Sequence, residues 1–592
     1  MQNTRKRFQR RDKGYGLIIT IVFVGIALLL LGSMMEWTNS SANQTERNNL
    51  YSMGVSAAQA TDERVLSQMM RDFYSQALNA PPTYAGLSAD TTSWPVQFSF
   101  SNPSNANWVT YVSTTPSNYT TNWVKLGDPY PGDWATVAQC SIISTATTTN
   151  QPYRVPATVE EDFQLAVISS AQGFFYNMDM EISPGQDMTF NGKTFVNGNI
   201  WASPGGNLTF GDTVKCTKNY YNSRNSANDP QANGSGTITF NVGGPQTNAP
   251  PQIIPVGTNS DGSSAYTILA LPPTNIDPSS QAGQTYLYNV CDLVISNAAS
   301  GTNNISVYFQ DTNNASRLTL ITPDLIVTNG GGTNMTYSTN YSFLSNTNFY
   351  DYREVKTVNA VQLNVGALNK WLTNANGSSL NTQCYNDTGH YISSAYIYNN
   401  ATASSTRLPA VRVANGSVLP SQGLTVATPD PLYVLGNYNA TGAALGTTNT
   451  ASTSPAGLLG DAITILSTSW SDTYTSGTGL NSRNAGSTTV NAATLEGIVV
   501  STNFGGTKYY SGGVENFLRL LEDWSGDTLT YNGSIVVLFA SQYATNYWQS
   551  PGAYYQVPTR HWGFDLNFTQ QNRLPPAFPS WKQLIRQRWN TY

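Results

Sequence analysis

Histidine is nearly absent from this chain of 592 residues, which has only His390 and His561. Histidine is the commonest metal ligand and the usual general base near neutral pH, so a His-built metal centre or a His-dependent hydrolase is not expected. Charge is also scarce. Charged residues make up 11% of the chain, against roughly 25% in an ordinary soluble domain. The net charge of −5 and the isoelectric point near 5.2 lack the basic footprint of phosphate binding, so nucleic acid is not an expected partner. Low charge does not mean disorder here, because 40% of the residues are hydrophobic and 11% are aromatic, enough to build a core. Cysteine is limited to Cys140, Cys216, Cys291 and Cys384, with no CxxC unit, which excludes zinc-ribbon and thioredoxin-like readings. Outside the cytoplasm these four allow two disulfides in three connectivities; the alternative is four buried thiols.

What the chain has in quantity is Asn, Thr, Ser, Gly and Tyr, the composition of a β-rich extracytoplasmic surface protein. The N-terminus is organised differently. Arg5, Lys6, Arg7, Arg10, Arg11 and Lys13 face one acid, Asp12, and the run from Gly14 to Met35 carries no charge. About 20 apolar residues cross a bilayer, and this run, with Leu17, Ile19, Phe23 and Leu30 along it, qualifies as a membrane anchor. The basic flank stays cytoplasmic by the positive-inside rule, which puts everything after Glu36 outside. A cleaved secretory signal is the competing expectation, with Ser40-Ser-Ala42 as its cleavage site. Beyond the anchor, Leu66, Met69, Phe73 and Ala77 recur at helical spacing, and Pro81-Pro82 stop the pattern. One helix is predicted from Leu17 to about Asn79, apolar first and amphipathic after.

Lys13-Gly14 before Tyr15, the uncharged run, Asn43-Gln-Thr-Glu-Arg47, Ser56-Ala-Ala-Gln-Ala60 and Glu63 together resemble the N-terminus of type IV pilin-like proteins, most closely the PilX-like minor pilins. The resemblance covers about the first 65 residues. It implies a basic leader, residues 1–14, removed by a prepilin peptidase between Gly14 and Tyr15. It also implies a bacterial inner-membrane location, single-pass with a cytoplasmic N-terminus, and other pilin-like subunits as partners. The fifth position of the processed chain, commonly glutamate in mature pilins, is Ile19 here, an acid that PilX-like members often lack.

After residue 82 the helical period gives way to short apolar runs between Asn-Gly, Gly-Gly and Pro-Gly turns. Ser183-Pro-Gly-Gln-Asp-Met-Thr-Phe190 and Ser203-Pro-Gly-Gly-Asn-Leu-Thr-Phe210 form an internal repeat at a solenoid-like offset, and Thr237-Ile-Thr-Phe-Asn241 reads as a third copy after a polar insertion. Leu529-Thr-Tyr-Asn-Gly533 echoes the same pattern. The expected fold is mainly β behind an N-terminal helix, with a β-solenoid exodomain and a β-sandwich as the alternative. The expected organisation is a leader at 1–14, a stalk helix at 15–80, a β-rich linker at 81–160, repeats at 161–350 and a C-terminal β-rich region at 351–592. That last region has two low-complexity loops and one short helix built on Val514, Phe517, Leu518 and Leu521.

Candidate chemistry is thin. Asn191-Gly192-Lys193-Thr194 carries the Gly-Lys-Thr of a phosphate-binding loop, but Asp187 stands where that motif needs glycine. Glu160-Glu161-Asp162 and Glu522-Asp523 are acid clusters of the kind a glycosidase needs only when they face each other across a cleft. Asn259-Ser-Asp261 and Asp311-Thr-Asn313 offer oxygen ligands suited to calcium, and read more simply as turns. No catalytic residue, cofactor or metal is assigned. The expected role is a membrane-anchored pilin-like protein in filament assembly or adhesion. The alternative is a surface-tethered β-helix enzyme or binder acting on polysaccharide.

Overall fold

The structure is a computed structural model, and it describes residues 15–74, 98–101, 110–114, 121–127, 130, 132–148, 153–171, 173–252, 264–280, 282–297, 305–311, 318–329, 335–548 and 554–592. The leader with Gly14, the Pro81-Pro82 stop, and the turns around Asp261 and Asn313 lie outside these residues. The chain is mainly β behind one long apolar helix, α1 (Tyr15–Tyr74). It divides into two units, the first made of residues 1–121, 138–165 and 584–592, the second of 122–137 and 166–583.

In the first unit, strands β1 (Phe98–Ser101) and β2 (Thr110–Thr114) pair antiparallel with β4 (Trp134–Thr148), whose register includes Phe98 opposite Thr148 and Thr114 opposite Cys140. β5 (Pro156–Ser169) follows β4 in the sheet, and the C-terminal strand Ser580–Thr591 lies on the far side of β5. Thr158 and Tyr592 exchange both backbone hydrogen bonds, at 3.0 and 2.9 Å, so the chain ends inside this unit.

The second unit opens with β3 (Thr121–Lys125) and a tight turn back into β4, closed by Leu126 N–H donating to the Asp133 carbonyl at 2.7 Å. Further on, the sequence repeat becomes three parallel ladders. β6 (Phe174–Tyr176), β9 (Thr194–Val196) and β12 (Val214–Cys216) form the first, and β7 (Met180–Ile182), β10 (Ile200–Ala202) and β13 (Tyr220–Tyr221) the second. β8 (Met188–Phe190), β11 (Leu208–Phe210) and β14 (Ile238–Phe240) form the third. Met188 lies opposite Leu208, and Leu208 opposite Ile238, so the polar insertion bulges out without breaking the register. Alternate side chains point inward and stack. Phe174, Phe190, Phe210 and Phe240 follow one another with ring centroids 4.3, 6.1 and 5.2 Å apart. Polar residues do the same at the corners, where Asn199 N–H donates to Asp179 at 2.8 Å and Asn207 N–H to Asp187 at 2.7 Å. A Cβ at Gly206 would lie 2.7 Å from the Asp187 nitrogen of the preceding copy, so this corner needs glycine for close approach.

A second set of parallel strands winds between two sheets. One runs through Lys356–Asn364, Arg407–Ala414, Leu432–Leu435, Ile463–Leu466 and Arg519–Leu520. The other runs through Ser394–Tyr398, Leu424–Ala427, Ala456–Gly460, Thr488–Ile498 and Thr528–Ala540. The last of these pairs parallel with β6, Ile535 opposite Phe174. A late strand therefore lies beside an early one, and the order of strands in this sheet is permuted relative to the sequence. The expected helix around Val514–Leu521 is instead a 3₁₀ turn, Val514–Asn516, followed by the strand Arg519–Leu520. Gly512 and Gly513 take positive φ just before it, and pairing of Thr464 with Arg519 claims the rest as strand. Two helices went unforeseen, α2 (Val365–Trp371) and α3 (Ala375–Thr388). Their Asn N-caps, Asn364 and Asn374, accept from Ala367 and Gly377 N–H.

Candidate functional site

The strongest functional element is α1. Its first half has no partner among the described residues: Leu17, Ile19, Phe23 and Leu30 are all exposed, at 69, 51, 67 and 57%. Hydroxyls inside or beside this stretch are satisfied within the helix itself. Thr20 donates to the Gly16 carbonyl at 2.7 Å and Thr38 to that of Met34 at 2.7 Å. This is the arrangement a helix needs where no water is present to satisfy polar groups. The segment is long and apolar enough to cross a membrane. Tyr15, at the first position of α1, is exposed.

The second half of α1 is built to hold a folded domain. Leu50, Ala57, Ala58, Val65, Leu66, Met69 and Phe73 are buried at helical spacing. Small residues set the distance to the sheet, since a Cβ at Gly54 would meet the Ala157 methyl at 2.9 Å. Arg47 caps the contact from the edge, its guanidinium 4.8 Å from the centre of the Tyr153 ring. One acid sits in the middle of this apolar face. Asp62 is fully buried, accepts from the Ser144 hydroxyl through Oδ1, and has no partner for Oδ2 among the described residues. Burial pushes its carboxyl up to about 8, and the neighbouring acids Glu161 and Glu63 add to that rise.

The structure gives the acid cluster Glu160-Glu161-Asp162 a structural task. Arg586 reaches Glu63 at 2.7 Å and Glu161 at 3.2 Å, Arg588 reaches Asp162 at 2.8 Å, and the Tyr592 hydroxyl donates to Glu160 at 2.7 Å. These contacts clasp the C-terminal strand onto β5 and α1. In the second unit Glu522 accepts from Ser467 N–H and its hydroxyl, both at 2.7 Å. Asp461 accepts from the backbone N–H groups of Gln542, Tyr543 and Ala544, and Glu354 pairs with Arg519 at 2.8 Å. Glu522 and Asp461 each tie one connecting segment to another, and Glu354 ties a turn to the strand Arg519–Leu520.

The Gly-Lys-Thr sequence is not a phosphate loop. Gly192 is packed where a Cβ would strike Phe564 and Phe174, Lys193 pairs with Asp133, and Thr194 opens β9. His390 lies beside Asp292, 3.9 Å from its carboxylate, and Cys384 Sγ lies 3.8 Å from the same group. Asp292 is already engaged by Ser393 N–H at 2.8 Å and by Ser394 N–H and hydroxyl at 3.0 and 2.8 Å, which ties it to the strand that follows α3. Burial pushes the Cys384 thiol up to about 12, so the group is not a thiolate. Cys140, Cys216, Cys291 and Cys384 are all buried free thiols in the structure.

No protein-family model matches the chain, and no curated protein matches it. Among solved structures the chain is similar to the competence-associated pilin ComZ from Thermus thermophilus, at 10% identity and a TM-score of 0.26, over 92% of this chain and 97% of that one. At that score the likeness transfers neither fold nor role.

Proposed function

We propose that the chain is a membrane-anchored, pilin-like surface protein whose β-rich exodomain works in filament assembly or adhesion. The observation that carries this reading is the division of α1 at about residue 40. The first half offers a helix uncharged from Tyr15 to Met35 with no partner among the described residues, and the second half buries one face against β4 and β5. A helix of that kind serves a lipid phase and, equally, a core made of identical helices. The leader of residues 1–14 is removed between Gly14 and Tyr15 by a prepilin peptidase, and the exodomain lies outside the cytoplasm. The parallel ladders are read as a solenoid continuous from Lys356 to Phe240 through the permuted junction at β6, a stiff body suited to display. The buried acids serve as loop anchors, which favours a structural role over an enzymatic one.

The test is fractionation of cells expressing the full chain. The wild-type protein resists alkaline extraction and is recovered in part with sheared surface material. Phe23→Asp places a charge at the middle of the apolar run and releases the chain from both fractions. Unchanged partition of that variant would remove the anchor from the account.

A further inference from the structure

We infer that the outer face of the first ladder carries a binding site for an acidic sugar. In β6, β9 and β12 the inward residues are Phe174, Tyr176, Thr194, Val196, Val214 and Cys216, all buried. The residues between them point outward and stand in register, Phe175 opposite Phe195 and Phe195 opposite Lys215. The two phenyl rings lie nearly parallel, 12° apart with centroids at 6.2 Å, and make an apolar step in which Phe175 is buried and Phe195 half-buried. Lys215 stands one strand further on, about 4.8 Å along the ladder.

This step and its lysine line a cavity of about 380 Å³ that Asp133, Lys193 and Trp581 also border. That volume lies in the usual range for small-molecule sites, roughly 300–1,000 Å³. Asp133 and Lys193 pair with each other, so their charges cancel. Lys215 has no carboxylate within ion-pair distance among the described residues. The cavity therefore combines an apolar phenyl step with two lysines, Lys193 and Lys215, against one lining carboxylate, Asp133, which interacts with both and leaves one positive charge in excess, while Thr213, Gln246 and Thr247 on its wall supply neutral hydrogen-bonding groups.

A pyranose ring with a carboxylate substituent matches all three features. Its C–H face stacks on the phenyl step, its hydroxyls meet the neutral wall, and its carboxylate reaches the Lys215 ammonium. A nucleic-acid strand fits less well, because one lysine on a chain of net charge −5 gives no track for a phosphate backbone. This inference goes beyond the anchor reading and does not depend on it, since binding is measured on purified protein whatever its N-terminus.

The experiment is titration calorimetry on the full chain in detergent, using trigalacturonate, trisialic acid, a neutral galactose trimer and a short single-stranded oligonucleotide. The expected result is saturable binding of at least one acidic trimer, about tenfold or more tighter than the neutral one. Lys215→Gln removes that preference with an unchanged melting temperature. Phe195→Ser weakens acidic and neutral trimers alike. The inference is overturned if neither acidic trimer binds, if Lys215→Gln binds as the wild type does, or if the oligonucleotide displaces the sugar at equal or higher affinity. Should Phe195→Ser fail to fold, the Lys215→Gln comparison still decides.

Discussion

Asp62→Asn is the most informative single change in the first unit. A carboxyl held at about 8 in the folded chain and near 3.9 when unfolded binds its proton more tightly in the fold. Stability from this group is then complete below about pH 4, declines as pH rises to about 8, and is flat above that. At about 1.36 kcal/mol per unit, the full swing has a ceiling of about 6 kcal/mol. Water entry and relaxation around a charged Asp62 reduce this, and about 2 kcal/mol is the expected difference between pH 5 and pH 8. Glu161, also raised by burial, and Glu63 and Arg586 face the same region and are present in both proteins, so the difference between wild type and variant isolates Asp62. The amide keeps the acceptor for Ser144 and, like the protonated acid, leaves one polar group unpaired, so the two match at low pH. The assay is hydrogen exchange of the α1 amides between Ala57 and Phe73, expressed as protection factors. At pH 8 the variant is expected to gain roughly thirty-fold in protection over wild type, and at pH 5 the two agree within about threefold. Equal protection at both pH values would refute the reasoning, as would a variant less protected at pH 8.

Three other outcomes follow from the packing. Phe210→Ala removes a buried ring between Phe190 and Phe240 and is expected to cost about 3–5 kcal/mol in denaturant unfolding of the second unit; a loss under about 1 kcal/mol would mean that the ladders do not share a core. Arg519→Met leaves Glu354 buried without its cation and the Ala544 carbonyl without a donor; a destabilisation of about 3–5 kcal/mol is expected by the same assay, and a neutral result would show that the network contributes nothing. Alkylation of the purified chain in denaturant without reductant is expected to label all four cysteines, because each is a free thiol, whereas labelling that requires reductant would reveal a disulfide.

Much of this structure could be read from local signals. The uncharged run, the helical spacing of Leu66, Met69 and Phe73, and the repeat that places Met188 opposite Leu208 all express short-range periodicity. The pairing of Thr528–Ala540 with β6 could not be read, because β pairing across more than 300 residues leaves no local trace. Arg353, Arg483 and Arg519 are buried, yet in sequence they are indistinguishable from surface arginines. The role of Glu160-Glu161-Asp162 depends on Arg586 and Arg588, which reach it only because the chain end returns to β5. Helix α3 escaped for the opposite reason. Its sequence, ANGSSLNTQCYNDT, is polar almost throughout, and its Asn374 N-cap and its stop at Gly389 in the left-handed region were the local clues. The phenyl step with Lys215 lay in the middle positions of three short strands, where alternation marked the residues as outward but not as neighbours.

The central claim is that α1 begins at a processed end and anchors a pilin-like protein. The measurement that tests it most directly is mass spectrometry of the N-terminal peptide from native protein, taken from both membrane and sheared-surface fractions. The account predicts a chain starting at Tyr15, present in both. A chain that still starts at Met1, or one cut near Asn43, would contradict it.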